Sequence, residues 1–385
     1  MKTNDKGVLT GTHNLSGNQA CAEGALAAGC RFLSAYPIPP SIEVIERFTQ
    51  RVKEVDAIFI QMEDEISVLA AVLGASWAGK KAMTVTSGPG LSLMMEHIGL
   101  GVMLETPCVI VNVQRCGPSE GTPNSPSQGD VMQARWGSHG DYEIIVIYPN
   151  SPQEMFTQTI EAFNLSEKYR TPVVILSDES IARMVEKVVI PPASKINLEP
   201  RKHYKGPKNK YLPFKYDKDL VPPMVNAGEG YKFHITGLTH DEKGYPVMNE
   251  ECQELNVHRL VRKIRNYVDN IINIEEKNLS DAEIVVVSYG ITSRTVDKAL
   301  KQARKDGIKV GSLRLITIWP FPDKEIMKLS KKVKAFIVPE LNFGQILLEV
   351  QRCNYGNAKI RFVEYGHEEI QNPDPILNAI RSLTK

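Results

Sequence analysis

Gln61–Gly99 reads QMEDEISVLAAVLGASWAGKKAMTVTSGPGLSLMMEHIG, and the order of its parts decides the fold. Three acids, Glu63, Asp64 and Glu65, open an alanine-rich helical run, a β-type run follows at Ala82–Thr86, and the turn Gly88-Pro89-Gly90 comes after it. Helix and strand in alternation is the rhythm of a parallel α/β sheet. An acid in a first helical turn complements the helix dipole in any protein, and one buried against small residues also has its proton affinity tuned; the residues alone leave both readings open. A glycine turn after a strand lets backbone come close to a flat or anionic ligand.

Outward from this stretch the same alternation runs from residue 18 to about 180, with candidate strands at Ala57–Gln61, Ala82–Thr86, Cys108–Asn112, Ile144–Tyr148 and Val173–Ser177. A marked helix lies between the last two: Ser151 as N-cap, Pro152 at the first position, Glu154 completing a capping box, and Phe156, Ile160 and Phe163 along one face. This predicts a doubly wound parallel domain over residues 10–190. Near residue 191 the composition turns to Pro, Lys and Tyr without a sustained period, which reads as an extended linker over 191–262. An amphipathic helical segment is expected from Asn249 to Lys277. A second, smaller α/β unit over 263–385 follows, with strands at Glu283–Ser288, Val310–Leu315, Ala335–Val338 and Ile360–Glu364.

Composition narrows the functions. The 385 residues are 42% hydrophobic and 24% charged, enough for large cores, and 46 basic residues nearly cancel 45 acidic ones. No net basic field draws the chain to nucleic acid, and neither a leader's apolar core nor a run of about 18 apolar residues is present, so no membrane is expected and the location is read as cytoplasmic. The six cysteines contain no C-x-x-C pair and read as reduced structural thiols.

Familiar motifs fail on their details. Gly74–Lys81 has P-loop spacing, but Lys81 stands where a magnesium-binding hydroxyl belongs and the segment ends a helix; a glycine C-cap accounts for it. Gly88-Pro89-Gly90 begins a dinucleotide fingerprint whose third glycine is Leu93. His97, His139 and His240 have no ligand spacing, so no metal site is expected on this chain.

The remaining chemistry gathers in turns after candidate strands, where doubly wound sheets bind ligands. These are Tyr36-Pro37-Ile38-Pro39-Pro40-Ser41, the acids ending in Glu65, Thr86–Gly90, and Gln114–Gly121. Arg115, just past the strand Cys108–Val113, presents a fork suited to a carboxylate, and a surface salt bridge is the equal alternative.

At these residues the chain resembles the α subunits of the 2-oxoacid:ferredoxin oxidoreductases, in the separate-chain, 2-oxoglutarate type. The resemblance is carried by GNQACAEGALAAGCRF (Gly17–Phe32), YPIPPS (Tyr36–Ser41), QMEDE (Gln61–Glu65), VTSGPG (Val85–Gly90), ETPCVIVNVQRCGPSEGTP (Glu105–Pro123), the QGD and WGSHGD of Gln128–Asp141, EKYRTPVVILSDE (Glu167–Glu179) and TGLTHDEKGYP (Thr236–Pro246). It implies a pyrimidine-type thiamine-diphosphate domain followed by a transketolase C-terminal-like domain. It implies oxidative decarboxylation of a 2-oxoacid, in the first place 2-oxoglutarate, to acyl-coenzyme A; a branched-chain or aryl acid, and a non-catalytic scaffold paralogue, stay open.

Residue by residue, the resemblance gives Glu65 the catalytic contact to the aminopyrimidine ring and lines the ring pocket with Pro37, Ser87, Gly88, Pro89 and Gly90. It gives Arg115 the substrate carboxylate, with Tyr36, Ile38 and Pro39 beside it. Three positions depart from the family pattern: Pro39 and Glu120 where threonine is usual, and Gln19 where glutamate is. The Gly-Asp-Gly motif for pyrophosphate and magnesium is missing as well, so the resemblance implies that a partner β subunit holds Mg2+ and the pyrophosphate. It also implies 4Fe-4S clusters on partner subunits, γ and ferredoxin-like subunits as further partners, ferredoxin as acceptor and coenzyme A as co-substrate.

Overall fold

The computed structural model describes residues 7–366, 370 and 372–384. Residues 1–6, part of the N-terminal stretch read for a leader, lie outside them. Its larger sheet runs in the order Thr317–Trp319, Ile145–Ile147, Pro172–Asp178, Cys108–Cys116, Lys81–Thr86, Cys30–Ala35, Ile58–Gln61, with Thr122–Pro126 paired to Cys108–Cys116. All neighbours from Ile145–Ile147 to Ile58–Gln61 are parallel. The central strands Cys108–Cys116 and Pro172–Asp178 are buried throughout because helices cover both faces. Gly17–Ala27 and Pro152–Tyr169 belong to one core, with Ala22, Leu26, Phe156 and Phe163 fully buried; Glu65–Trp77 and Gly88–Met103 belong to the other, with Leu69, Val72 and Met94. This is the doubly wound architecture expected.

The chain passes from Cys30–Ala35 out to the edge strand Ile58–Gln61, then returns to place Lys81–Thr86 on the other side of Cys30–Ala35. The reversal opens a crevice at the carboxyl ends of those two strands, the place where open α/β sheets take ligands.

Beyond it, Ile190 to Asn249 carries two short 3-10 turns and isolated bridges, in keeping with an extended segment. The smaller sheet runs Ile274–Lys277, Val310–Leu315, Ile284–Ser288, Ala335–Glu340, Lys359–Glu364, parallel except for its first strand.

Several expectations need correction. The helical segment expected to reach Lys277 is Glu250–Arg265, a short turn Val268–Ile271, then a strand, because Ile274, Glu275 and Lys277 pair antiparallel with Leu315, Arg314 and Ser312. The strand ending at Asn112 continues to Cys116, extended by pairing with Ser177 and Asp178. Glu154 N donates the cap bond to Ser151 Oγ, but the Glu154 carboxylate accepts from Asn150 N and Arg314 rather than closing a capping box. Strand Cys30–Ala35 and an antiparallel ribbon of Gly11–Ser16 with Val185–Ile190 were not among the expected strands. Among the described residues no helix is long and apolar enough to cross a membrane.

Candidate active site

Asp64 caps the helix Glu65–Trp77, accepting from Ser67 N at 2.7 Å and Ser67 Oγ at 2.9 Å, and this sets Glu65 as the first helical residue. Glu65 is buried. Loss of hydration raises its pKa, with smaller contributions from the Asp64 and Glu120 charges against a backbone hydrogen bond that lowers it. Its carboxylate lies against the next helix: a Cβ added at Gly90 would collide with both Glu65 Oε1 and Thr86 Oγ1. Glycine there is a matter of space, Pro89 stands in the helix's first turn, and Gly90 N donates to Ser87 O at 2.8 Å.

Around this contact, hydroxyls are buried without partners. Ser34, Thr84, Thr86 and Ser87 carry side-chain oxygens with no hydrogen bond, and Asn112 Oδ1 is in the same state. Register and alternation put Ser34, Thr84, Thr86 and Asn112 on one face of the sheet, the face covered by the Glu65 helix. Unpartnered buried oxygens are rare in a finished core, so these point to a polar ligand. Sequence reading singled out Ser87 and missed Ser34, Thr84 and Asn112. The available signal was a polar residue at alternate places in strands otherwise apolar, as in MTVT and VIVN.

Arg115 is buried near the end of its strand. Nη1 donates to the Pro39 carbonyl at 2.7 Å, Nη2 to Glu120 Oε2 at 2.8 Å, and Nε has no partner. The bond to Pro39 ties the Tyr36–Ser41 turn to the Gln114–Gly121 segment. In that turn Ile38 is buried while Tyr36 and Pro39 are exposed and Pro37 half-buried, and Ser41 Oγ donates to Ile38 O at 2.8 Å. Pro39 therefore contributes its carbonyl, which any residue could supply. Gln19, the second departure, completes a capping box with Ser16, a task glutamine performs as well as glutamate. A cavity of about 570 Å3 opens beside Arg115, bounded by Ser127 and Asp130 of the larger unit and Asn342 and Phe343 of the smaller. Among the described residues no group of three or more His, Cys, Asp or Glu side chains is arranged to hold a metal ion.

This fold and site define a class: a two-unit α/β chain built like a thiamine-diphosphate enzyme. A split-gene transketolase has the same fold, with a TM-score of 0.54 at 12% identity over 97% of this chain and 99% of that one. The family model "Pyruvate flavodoxin/ferredoxin oxidoreductase, thiamine diP-binding" matches residues 23–258, and "Pyruvate:ferredoxin oxidoreductase core domain II" matches 282–370. The 2-oxoglutarate synthase subunit KorA of Methanothermobacter marburgensis is 48% identical over 97% of this chain and 100% of its own length. The ketoisovalerate oxidoreductase subunit VorB of the same organism is 36% identical over 89% of this chain and 90% of its own. A 2-oxoglutarate:ferredoxin oxidoreductase from Magnetococcus marinus, solved with 2-oxoglutarate, coenzyme A and succinyl-CoA bound, superposes with a TM-score of 0.91 at 32% identity, covering 98% of this chain and 66% of that one. The chain belongs to the 2-oxoacid:ferredoxin oxidoreductase family, as an α subunit of the 2-oxoglutarate type.

Proposed function

We propose that this chain supplies the aminopyrimidine pocket and the substrate-carboxylate clamp of an enzyme that converts 2-oxoglutarate, coenzyme A and oxidised ferredoxin to acyl-coenzyme A, CO2 and reduced ferredoxin. One observation carries the reading: a buried Glu65 with raised proton affinity converges with the unpartnered Thr86 hydroxyl over Gly90, at the sheet's reversal point. The residues suit an aminopyrimidine ring. Glu65 can share a proton with a ring nitrogen, Gly90 leaves its carboxylate room, and Pro37 and Pro89 give flat apolar walls. Bound there, thiamine diphosphate supplies the carbon nucleophile for the 2-oxo group. Arg115 draws the acid's carboxylate to the same crevice end, and Ile38 and Pro39 close its flank.

Partner chains complete the site in this reading. Ile58, Ile60, Ile66, Leu93 and Tyr36 are exposed on the elements flanking Glu65, an apolar rim suited to a β subunit carrying the pyrophosphate and Mg2+. The absence of C-x-x-C in this sequence supports assigning the 4Fe-4S clusters to partner subunits, with γ and ferredoxin-like chains as further partners and ferredoxin as the acceptor. The greater identity to the relative named for 2-oxoglutarate than to the one named for ketoisovalerate favours 2-oxoglutarate. The domain limits we assign are 10–190, 191–262 and 263–385.

The test is viologen reduction by the co-expressed complex with thiamine diphosphate, magnesium, coenzyme A and a panel of 2-oxoacids. Turnover is expected with 2-oxoglutarate first, lost in Glu65→Gln. A complex that binds its cofactors and turns over no 2-oxoacid overturns the reading, and preference for a branched-chain or aryl acid overturns the substrate.

A further inference from the structure

Arg115 is buried, and among the described residues its only ionic partner is Glu120. The pairing is lopsided. Nε and Nη2 form one edge of the guanidinium, the edge that grips a carboxylate with two parallel bonds. Glu120 uses a single oxygen, Oε2, on Nη2, and leaves Nε buried with no partner. The Glu120 side chain is itself 81% exposed, so its carboxylate gives up little hydration to pair and regains little on leaving. Ser119 at φ 55° and Gly121 at φ 50° hold the backbone on either side in the left-handed region, and a Cβ on Gly121 would strike Cys116 O. Glu120 is thus presented to Arg115 by a tight turn and can release it by rotating its own side chain. Glu120 also contributes to the raised pKa of Glu65, which places its charge within reach of the proposed catalytic carboxylate.

We propose that Glu120 is a resident counter-carboxylate: in the substrate-free enzyme it occupies the Nη2 side of Arg115, and an incoming 2-oxoacid displaces it by bonding Nη2 and Nε together. The idea rests on Arg115 being the substrate clamp. Glu120 is then a specificity-determining residue, because each acid must outbid it, and acids that reach only Nη2 gain nothing by the exchange. Neutralising Glu120 removes the competitor and leaves the guanidinium open.

The test compares Glu120→Gln, Glu120→Thr, Glu120→Asp and Arg115→Met in the assembled complex. It reads KM and kcat for 2-oxoglutarate, and the equilibrium dissociation constant in complex freed of thiamine diphosphate. For Gln and Thr, KM and the dissociation constant are expected to fall about three- to tenfold, moving more than kcat, while Asp stays near the parent. The acid limb of the kcat/KM profile should also move to lower pH once the Glu120 charge no longer raises the Glu65 pKa. Unchanged or weakened binding in both neutral variants overturns the proposal. If Arg115→Met weakens binding while the neutral Glu120 variants do not strengthen it, only the counter-carboxylate fails. If Arg115→Met binds as the parent does, the clamp reading fails and takes this proposal with it.

Discussion

Asp64 and Glu65 are adjacent acids with opposite fates. Asp64 is solvated and bonded to Ser67 N and Oγ, which lowers its pKa; Glu65, one residue on, turns into the helix interface where burial raises its own. Environment separates a capping carboxylate from one whose proton affinity is raised. Replacing Glu65 with glutamine keeps shape and polarity but removes the exchangeable proton, so kcat should fall by about 10²-fold or more in the viologen assay. Gly90→Ala tests the same contact from the other side. Its methyl group must push aside Thr86 Oγ1 or Glu65 Oε1, and overpacking of this kind costs about 1–3 kcal/mol. Loss of activity with a lowered Tm is expected; parent-like activity would show that Glu65 does not need that space.

At the scale of elements, the helix Glu250–Arg265 is clasped to the larger unit through Glu105. Its carboxylate accepts from Arg259 at 2.7 and 2.9 Å and from Lys263 at 2.8 Å, and its carbonyl from Arg170 Nε at 2.8 Å. Burial alone would raise the Glu105 pKa, but the Arg259 and Lys263 charges win and hold it well below the usual carboxylate range. A depressed folded-state pKa means the stabilisation is complete above the unfolded value of about 4.3 and is lost as pH falls toward the folded one. Glu105→Gln removes the carboxylate charge that compensates two buried cations and should cost about 3–5 kcal/mol. Thermal melts from pH 3 to 7 check both points: the variant's deficit should shrink below about pH 4, and a deficit independent of pH would remove the ionic explanation.

Across the whole molecule, the two units are tied together by a strand of the smaller one that joins the sheet of the larger. Thr317–Trp319, which comes after three strands of the smaller unit, pairs antiparallel with Ile145–Ile147 at the edge of the larger one, and Tyr148 N donates to Ile316 O at 2.7 Å. Trp319 is buried and donates to Val131 O at 2.9 Å. Farther in, Gln128 Nε2 donates to Tyr289 O at 3.1 Å and Tyr289 Oη to Glu340 at 2.6 Å, while Asn342 donates to the Gln128 carbonyl at 2.7 Å. A molecule joined in this way should melt in one step. Trp319→Ala should cost about 3–5 kcal/mol and split the calorimetric transition in two; one unsplit transition would mean that the junction does not couple the units.

The local elements were legible because local rules suffice for them. Alternating strand and helix periods gave the doubly wound class, the Asp64-Glu65 and Gly88–Gly90 turns sit at strand ends by sequence order, and Gly79, at φ 90° just past the Ala78 C-cap, closes the Glu65 helix. Such features depend on neighbours within a few residues. What the tertiary structure alone decided are contacts between residues far apart in the chain. They include Arg115 on the Pro39 carbonyl, Arg259 and Lys263 on the Glu105 carboxylate, and Thr317–Trp319 crossing to the other unit's sheet. Sequence by itself determined which residue types were available at the strand ends. Their pairing waited on folding, because a hydrogen bond across 76 residues leaves no period or spacing in the chain to read.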